Sequence, residues 1–260
     1  MIERSDEYER QKIADWLSST NYATFQAHFL KQRQEGTGIW LLETPKFRAW
    51  VKRGGVLFCP GIPGAGKTIL SSIVINHLQE HHAVDQNVGV VYVFFNYRQQ
   101  DEQRLINILA NILKQLIQAT GFIPDTVTEL YERCKRHGSR PQPNVLLEAL
   151  VAVAKLCSHI YLIVDALDEC SESGGTRDGI ISELLNFRQQ CNVSLLATSR
   201  IIPEITARFD MFPSVEVRAS DADVRRYAEG QLQELSNCVR RNAELSELVV
   251  SEIVRSVSGM

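Results

Sequence analysis

Eight consecutive residues, Gly61-Ile62-Pro63-Gly64-Ala65-Gly66-Lys67-Thr68, carry the spacing G-x-x-x-x-G-K-[ST]. That spacing suits a loop that wraps a polyphosphate. Successive backbone N–H groups must turn inward around the phosphates, and residues without a Cβ let the chain come that close. A helix that follows directly aims its N-terminal N–H groups and the positive end of its dipole at the same ligand. Within such a loop Lys67 reaches the β- and γ-phosphates, and the Thr68 hydroxyl is a ligand for Mg²⁺.

A phosphate loop of this kind needs an acidic metal partner from a neighbouring strand. The apolar run Ile160–Val164 ends in Asp165-Ala166-Leu167-Asp168-Glu169. Asp165 at the strand end is the candidate metal carboxylate, the Walker B position. Asp168 and Glu169 come three and four residues later, where either can orient or deprotonate an attacking water. A further apolar run, Val193–Ala197, ends in Thr198-Ser199-Arg200. Arg200 is thereby a candidate to sense or stabilise a γ-phosphate from the same edge. The candidate catalytic residues are Lys67, Asp168, Glu169 and Arg200, and the candidate metal ligands are Thr68 and Asp165.

These residues work together only if the chain gathers several strand ends. Val56–Cys59, Val88–Phe95, Ile160–Val164 and Val193–Ala197 are short apolar runs of the kind buried on both faces of a parallel sheet, and Ser214–Val217 is a shorter one. Between them lie stretches with helical periodicity. One follows the phosphate loop to about residue 82, another carries Leu105, Ile108, Leu109, Ile112, Leu113 and Leu116, and others span about 125–136, 145–157 and 178–190. Helices are also predicted near 4–19, 22–34 and 45–53, with Thr44 as cap and Pro45 at the first helical position of the last. Asn144 and Asp221 are the predicted caps of helices 145–157 and 222–235, and a final helix covers about 243–257. Strand–helix alternation implies a parallel sheet with right-handed crossovers and helices on both faces. In such sheets ligands gather at the C-terminal strand ends. The basic segment 135–141 reads as a solvated connection.

Composition narrows the class. The chain has 260 residues, 44% of them hydrophobic and 23% charged, with a formal net charge of −3. That balance argues against a nonspecific grip on nucleic acid or on an anionic membrane surface. None of the six cysteines forms a C-x-x-C pair, and no Cys/His cluster has zinc spacing. The charged N-terminus has no apolar signal core and no apolar run approaches a membrane span, so the reading is a cytoplasmic protein with reduced cysteines.

The segments GIPGAGKT, IVDALDE and LLATSR together resemble the NACHT group of the STAND class of P-loop NTPases. The likeness is to fungal NACHT proteins of the heterokaryon-incompatibility and repeat-bearing types, and to the nephrocystin-3-like N-terminal NTPase region. The tiny Ala166 after Asp165 and the acidic pair Asp168-Glu169 fit that group's pattern, and Thr198-Ser199-Arg200 fits its sensor 1. The segment 33–41 resembles its lead-in, and Asp223–Tyr227 its post-sheet helix. The resemblance implies an α/β three-layer sandwich with a five-stranded parallel sheet in the order 5-1-4-3-2. It divides the chain into a helical lead-in (1–53), an NTPase core (54–218) and the start of a C-terminal helical segment (219–260). Relatives continue into a winged helix and repeats, and neither is expected within these 260 residues.

The function this implies is a signalling switch that binds Mg²⁺ and ATP (or GTP) and hydrolyses it slowly, with a homo-oligomer formed through the core. The absence of N-K-x-D tilts the choice toward ATP. Gly36-Thr37-Gly38 is the expected base-side contact. The alternative of another class is a nucleotide-binding scaffold with little or no hydrolysis. A small-molecule kinase is disfavoured, because no arginine-rich lid is evident.

Overall fold

A computed structural model of the chain describes residues 2–85, 87–232 and 242–258. Four strands form the sheet: β1 (Val56–Pro60), β2 (Val88–Phe94), β3 (His159–Asp165) and β4 (Val193–Ser199). All pairings are parallel and the order is β1-β4-β3-β2. Every residue of β4 is buried, as are all but the first of β3, which is why these runs lack a polar alternation. Register brings the working ends level: Pro60 pairs with Ser199, Val164 with Ala197 and Phe94 with Asp165.

The sheet has four strands rather than the five expected. The predicted fifth, Ser214–Val217, does lie along the free edge of β1, but only through two isolated bridges, Phe58 to Ser214 and Gly61 to Val217. Phe58 N–H donates to Pro213 O, Val215 N–H to Phe58 O and Val217 N–H to Pro60 O. The bond that would join these into a ladder needs an N–H on residue 60. Proline has none, so the edge stays discontinuous.

Helices cover both faces. The N-terminal part supplies α1 (Ile2–Leu17), α2 (Tyr22–Gln32), a single turn α3 (Trp40–Glu43) and α4 (Pro45–Arg53). Ile13, Leu17, Tyr22, Leu41, Phe47 and Trp50 join the same hydrophobic cluster as the strands. Trp50 Nε1–H also donates to Leu195 O, and the Tyr161 hydroxyl to Val51 O. The lead-in is therefore packed into the core. The other helices are α5 (Lys67–His81), α6 (Leu105–Thr120), α7 (Asp125–His137), α8 (Pro143–Ala154), α9 (Thr176–Gln190), α10 (Pro203–Phe209), α11 (Asp221–Gln231) and α12 (Ala243–Ser258).

Helix starts obey local chemistry, with two corrections. Thr44 caps α4 as expected, its hydroxyl accepting from Phe47 N–H. Asn144 is not a cap: Pro143 opens α8 one residue earlier, after Gln142, with no side-chain cap bond. The cap of α11 is Ser220 rather than Asp221, its hydroxyl accepting from Asp223 N–H. Lys135, Arg136 and His137 stand in the last turn of α7, where cations suit the helix dipole, instead of in a loop. The predicted extension of α11 to residue 235 and Cys238 lie outside the described residues.

Candidate functional site

The phosphate loop leaves β1 and enters α5 with Gly66 in the left-handed region (φ 88°) immediately before Lys67. Gly64 is also left-handed. Lys67 Nζ donates to the carbonyls of Gly61 and Ile62, both at 2.9 Å, and so lies folded over its own loop. Burial lowers its pKa below the ordinary lysine value; Asp168 and then Asp165 pull in the opposite direction. Pro63, Gly64, Gly66, Lys67 and Thr68 form one wall of a cavity of about 620 Å³. Tyr97, Gln100, Ala166, Asp168, Glu169 and Arg200 contribute to the rest of its lining. Its volume falls within the range of small-molecule sites, roughly 300–1,000 Å³.

Asp165 stands directly behind Thr68. The Thr68 hydroxyl donates to Asp165 Oδ2 at 2.7 Å, although the two residues are 97 positions apart. Two further hydroxyls, from Ser71 and Thr198, donate to Oδ1, each at 2.7 Å. Asp165 is 1% exposed. Burial raises its pKa, and the bonds from Ser71, Thr198 and Thr68 oppose that rise. Among the described residues no group of three or more His, Cys, Asp or Glu side chains could hold a metal by itself. The donor set nevertheless suits Mg²⁺, which keeps several waters and takes only one or two protein groups beside phosphate oxygens. With its proton directed at Asp165, the Thr68 oxygen keeps its lone pairs free for a cation on the cavity side.

The two members of the acidic pair are held by different partners. Ala166 has φ 58° and ψ 51°, and it is the one non-glycine residue with positive φ among those described. This left-handed turn costs about 1 kcal/mol or more. It redirects the chain into one 3₁₀ turn, Leu167–Glu169, that presents both carboxylates at the edge. Asp168 accepts from the Arg200 backbone N–H and from Arg200 Nε. Glu169 Oε2 accepts from Tyr97 N–H at 3.1 Å, and Gln100 Nε2 donates to Glu169 O at 2.8 Å. Burial raises the Glu169 pKa above the ordinary glutamate value.

All of Gly61–Thr68, Asp165, Asp168, Glu169 and Arg200 thus converge on one edge. The expected base-side segment does not line this cavity. Gly38 N–H donates to Asp223 Oδ2, and Arg226 Nη1 donates to Gly36 O. A Cβ on Gly38 would lie 2.5 Å from Ile73 Cδ1. Both lead-in glycines are left-handed (φ 78° and 73°), Gly36 beside Arg226 of α11 and Gly38 against Ile73 and Leu70 of α5. Sequence reasoning missed Ser71, Tyr97 and Gln100, and it named Thr198 only as part of the Thr198-Ser199-Arg200 segment. Ser71 had a usable signal, since it follows Thr68 by three residues on one helix face. Tyr97 and Gln100 had none, because they lie in the 3₁₀ stretch Tyr97–Glu102, which has no periodic pattern.

Residues 36–200 match the family model for nephrocystin 3, N-terminal. The chain belongs to this family. Within the nephrocystin 3, N-terminal match lie the lead-in glycines, the phosphate loop, the acidic cluster and Arg200. No curated protein matches the chain. Among solved structures it is similar to a DNA replication initiation factor, at 15% identity and a TM-score of 0.47, over 88% of this chain and 61% of that one. It is also similar to domain III of the Thermotoga maritima replication initiation protein DnaA, at 14% identity and TM-score 0.44, over 81% and 77% of the two chains. A third is Cdc6p from Pyrobaculum aerophilum, at 12% identity and TM-score 0.46, over 80% and 53%. The chain therefore spans less than two thirds of the first of these structures.

Proposed function

We propose that this chain binds a nucleoside triphosphate with Mg²⁺, ATP ahead of GTP, and hydrolyses it slowly as a NACHT-type switch module. The observation that carries this reading is the 2.7 Å bond between Thr68 and Asp165, which joins the phosphate loop to the acidic strand end. Charge supports it as well. Lys67 and Arg200 stand against Asp165, Asp168 and Glu169, two cations against three carboxylates. A polyphosphate entering such a site meets repulsion unless a divalent cation comes with it.

Thr68 and Asp165 would hold the magnesium ion, Thr68 on the cavity wall and Asp165 behind it. When bound, the ion neutralises phosphate charge as that charge redistributes during transfer. Lys67 would exchange its two loop carbonyls for phosphate oxygens. Glu169, with a raised pKa and a cavity-facing position, is the group to orient or deprotonate water. Asp168, engaged by Arg200, serves better as the anchor of that arginine. Arg200 then meets the γ-phosphate with the guanidinium nitrogens that Asp168 does not use. In this proposal residues 1–53 are the lead-in, 54–218 the core and 219–260 the start of a helical segment. No helix among the described residues is long and apolar enough to cross a membrane.

The test is titration of the chain with ATP, ADP and GTP, with and without Mg²⁺, while phosphate release is followed. Lys67→Ala should abolish Mg²⁺-nucleotide affinity and keep the fold; equal affinity in the variant would sink the assignment. One observation favours the binding-only scaffold: Arg200 is already paired with Asp168. If the parent chain binds the nucleotide but releases phosphate no faster than the protein-free background, that second reading holds.

A further inference from the structure

Among the described residues, the side-chain hydrogen bonds to the buried Asp165 carboxylate all come from hydroxyls. Three of them, on Thr68, Ser71 and Thr198, occupy three of its approximately four lone-pair directions. A buried carboxylate paired with an arginine would be satisfied and neutralised together. Here its hydrogen-bonding needs are met while its charge stays uncompensated at contact distance. Such an arrangement favours a cation in front of it.

Ser71 and Thr198 arrive at Oδ1 from different elements, α5 and β4. Both are 1% exposed, so no water competes for them. Ser71 differs in this from its neighbour Ser72, whose hydroxyl bonds back to Thr68 O in the way usual for a helical serine. Thr198 has a second bond: its oxygen accepts from Ala166 N–H at 2.9 Å, at the left-handed turn after Asp165. With Oδ1 fixed from both sides, Oδ2 is left to take the Thr68 proton, and the Thr68 oxygen turns its lone pairs to the cavity.

We infer that Ser71 and Thr198 are positioning residues for the metal, acting through Asp165 on Thr68. The inference rests on the Mg²⁺-nucleotide reading above and adds to it two groups that touch neither nucleotide nor ion. Partners of this kind typically change metal affinity by about 10- to 100-fold when removed.

The experiment measures binding of a fluorescent ATP analogue to the whole chain as Mg²⁺ is varied, with an EDTA arm, independent of turnover. Ser71→Ala and Thr198→Val should each raise the half-saturating Mg²⁺ about tenfold, with EDTA-arm affinity within about twofold of the parent. Thr198→Ser, which restores the hydroxyl, should return the parent value. Unchanged Mg²⁺ dependence in both variants would overturn the inference. So would a loss of affinity equal in both arms, because that marks a disturbed fold. A parent chain that binds the analogue equally well with and without Mg²⁺ would instead refute the metal reading itself, and the inference with it.

Discussion

Arg200 grips Asp168 twice, with its backbone N–H 2.8 Å from Oδ1 and its Nε 2.6 Å from Oδ2. The Asp168 side chain is 4% exposed and that of Arg200 49%. The pair is therefore neither a surface ion pair nor a fully buried one. Its backbone half survives any substitution of the arginine side chain, so Asp168 is never left wholly unpaired.

Side-chain coupling between these two should accordingly be about 1 kcal/mol, nearer to a surface pair than to the roughly 3–5 kcal/mol of breaking a buried one. A double-mutant cycle of Arg200→Ala and Asp168→Asn, read by urea unfolding, measures it. Zero coupling would mean the geometry has no energetic weight.

Glu169 should control the acid limb of hydrolysis. A base must be ionised to act, so the rate falls as pH drops through its pKa. Burial raises that pKa, which places the limb above the ordinary glutamate range of about 4.3. Glu169→Gln should remove the limb and cut turnover by about 10²-fold or more, while Asp168→Asn keeps the limb. A profile unchanged in Glu169→Gln would assign the base elsewhere.

Stability should fall on mild acidification, for a reason far from the site. His77, His81 and His82, at the end of α5, form a chain of ring contacts that reaches Tyr161 and His159. Burial lowers the pKa of His77, His82 and His159. Around them, Glu80 favours the charged form of His77 and Asp85 that of His82, while His81 disfavours both. His159 shares a hydrogen bond with Ser194 Oγ at 2.8 Å; Asn192 favours its charged form, while His82 acts with burial against it. A depressed folded-state pKa means that the unfolded chain binds more protons. The stabilisation is thus complete above the unfolded value of about 6.5 and is lost as pH falls below it. Melting temperature should drop between about pH 7.5 and about pH 5.5, on either side of that value, and His82→Gln should flatten that dependence.

What the sequence made legible follows from how local each signal is. The phosphate loop, Asp165 and Arg200 sit at the ends of strands whose apolar runs are unmistakable, so their convergence could be argued from topology. The cap at Ser220 rather than Asp221 is a one-residue choice between two competent side chains. Pairing is less local. Ser214–Val217 reads as a strand by itself, and only its neighbour Pro60 interrupts the ladder. Roles within the acidic cluster depended on partners remote in sequence: Tyr97 for Glu169 and the Arg200 backbone for Asp168. Gly36 and Gly38 are ambiguous as signals, since a left-handed turn packed against side chains leaves the same glycine mark as a close approach to a ligand.

Gly61 makes a comparable distinction testable inside the phosphate loop. Its place in the motif suggests that it bends around phosphates, yet its backbone is not left-handed, and a Cβ there would lie 2.5 Å from the Val217 carbonyl oxygen. Gly64 is the reverse case, with φ +77° and open space where a Cβ would stand. Gly61→Ala should therefore push the 213–217 segment off the β1 edge and lower the melting temperature. Gly64→Ala should cost only the left-handed strain, about 1–2 kcal/mol, and act mainly on nucleotide affinity. Thermal unfolding of both variants without nucleotide, followed by titration with ATP and Mg²⁺, separates the two effects. If Gly61→Ala melts no lower than Gly64→Ala, the contact with Val217 is not what requires glycine at position 61, and the phosphates would be the remaining reason.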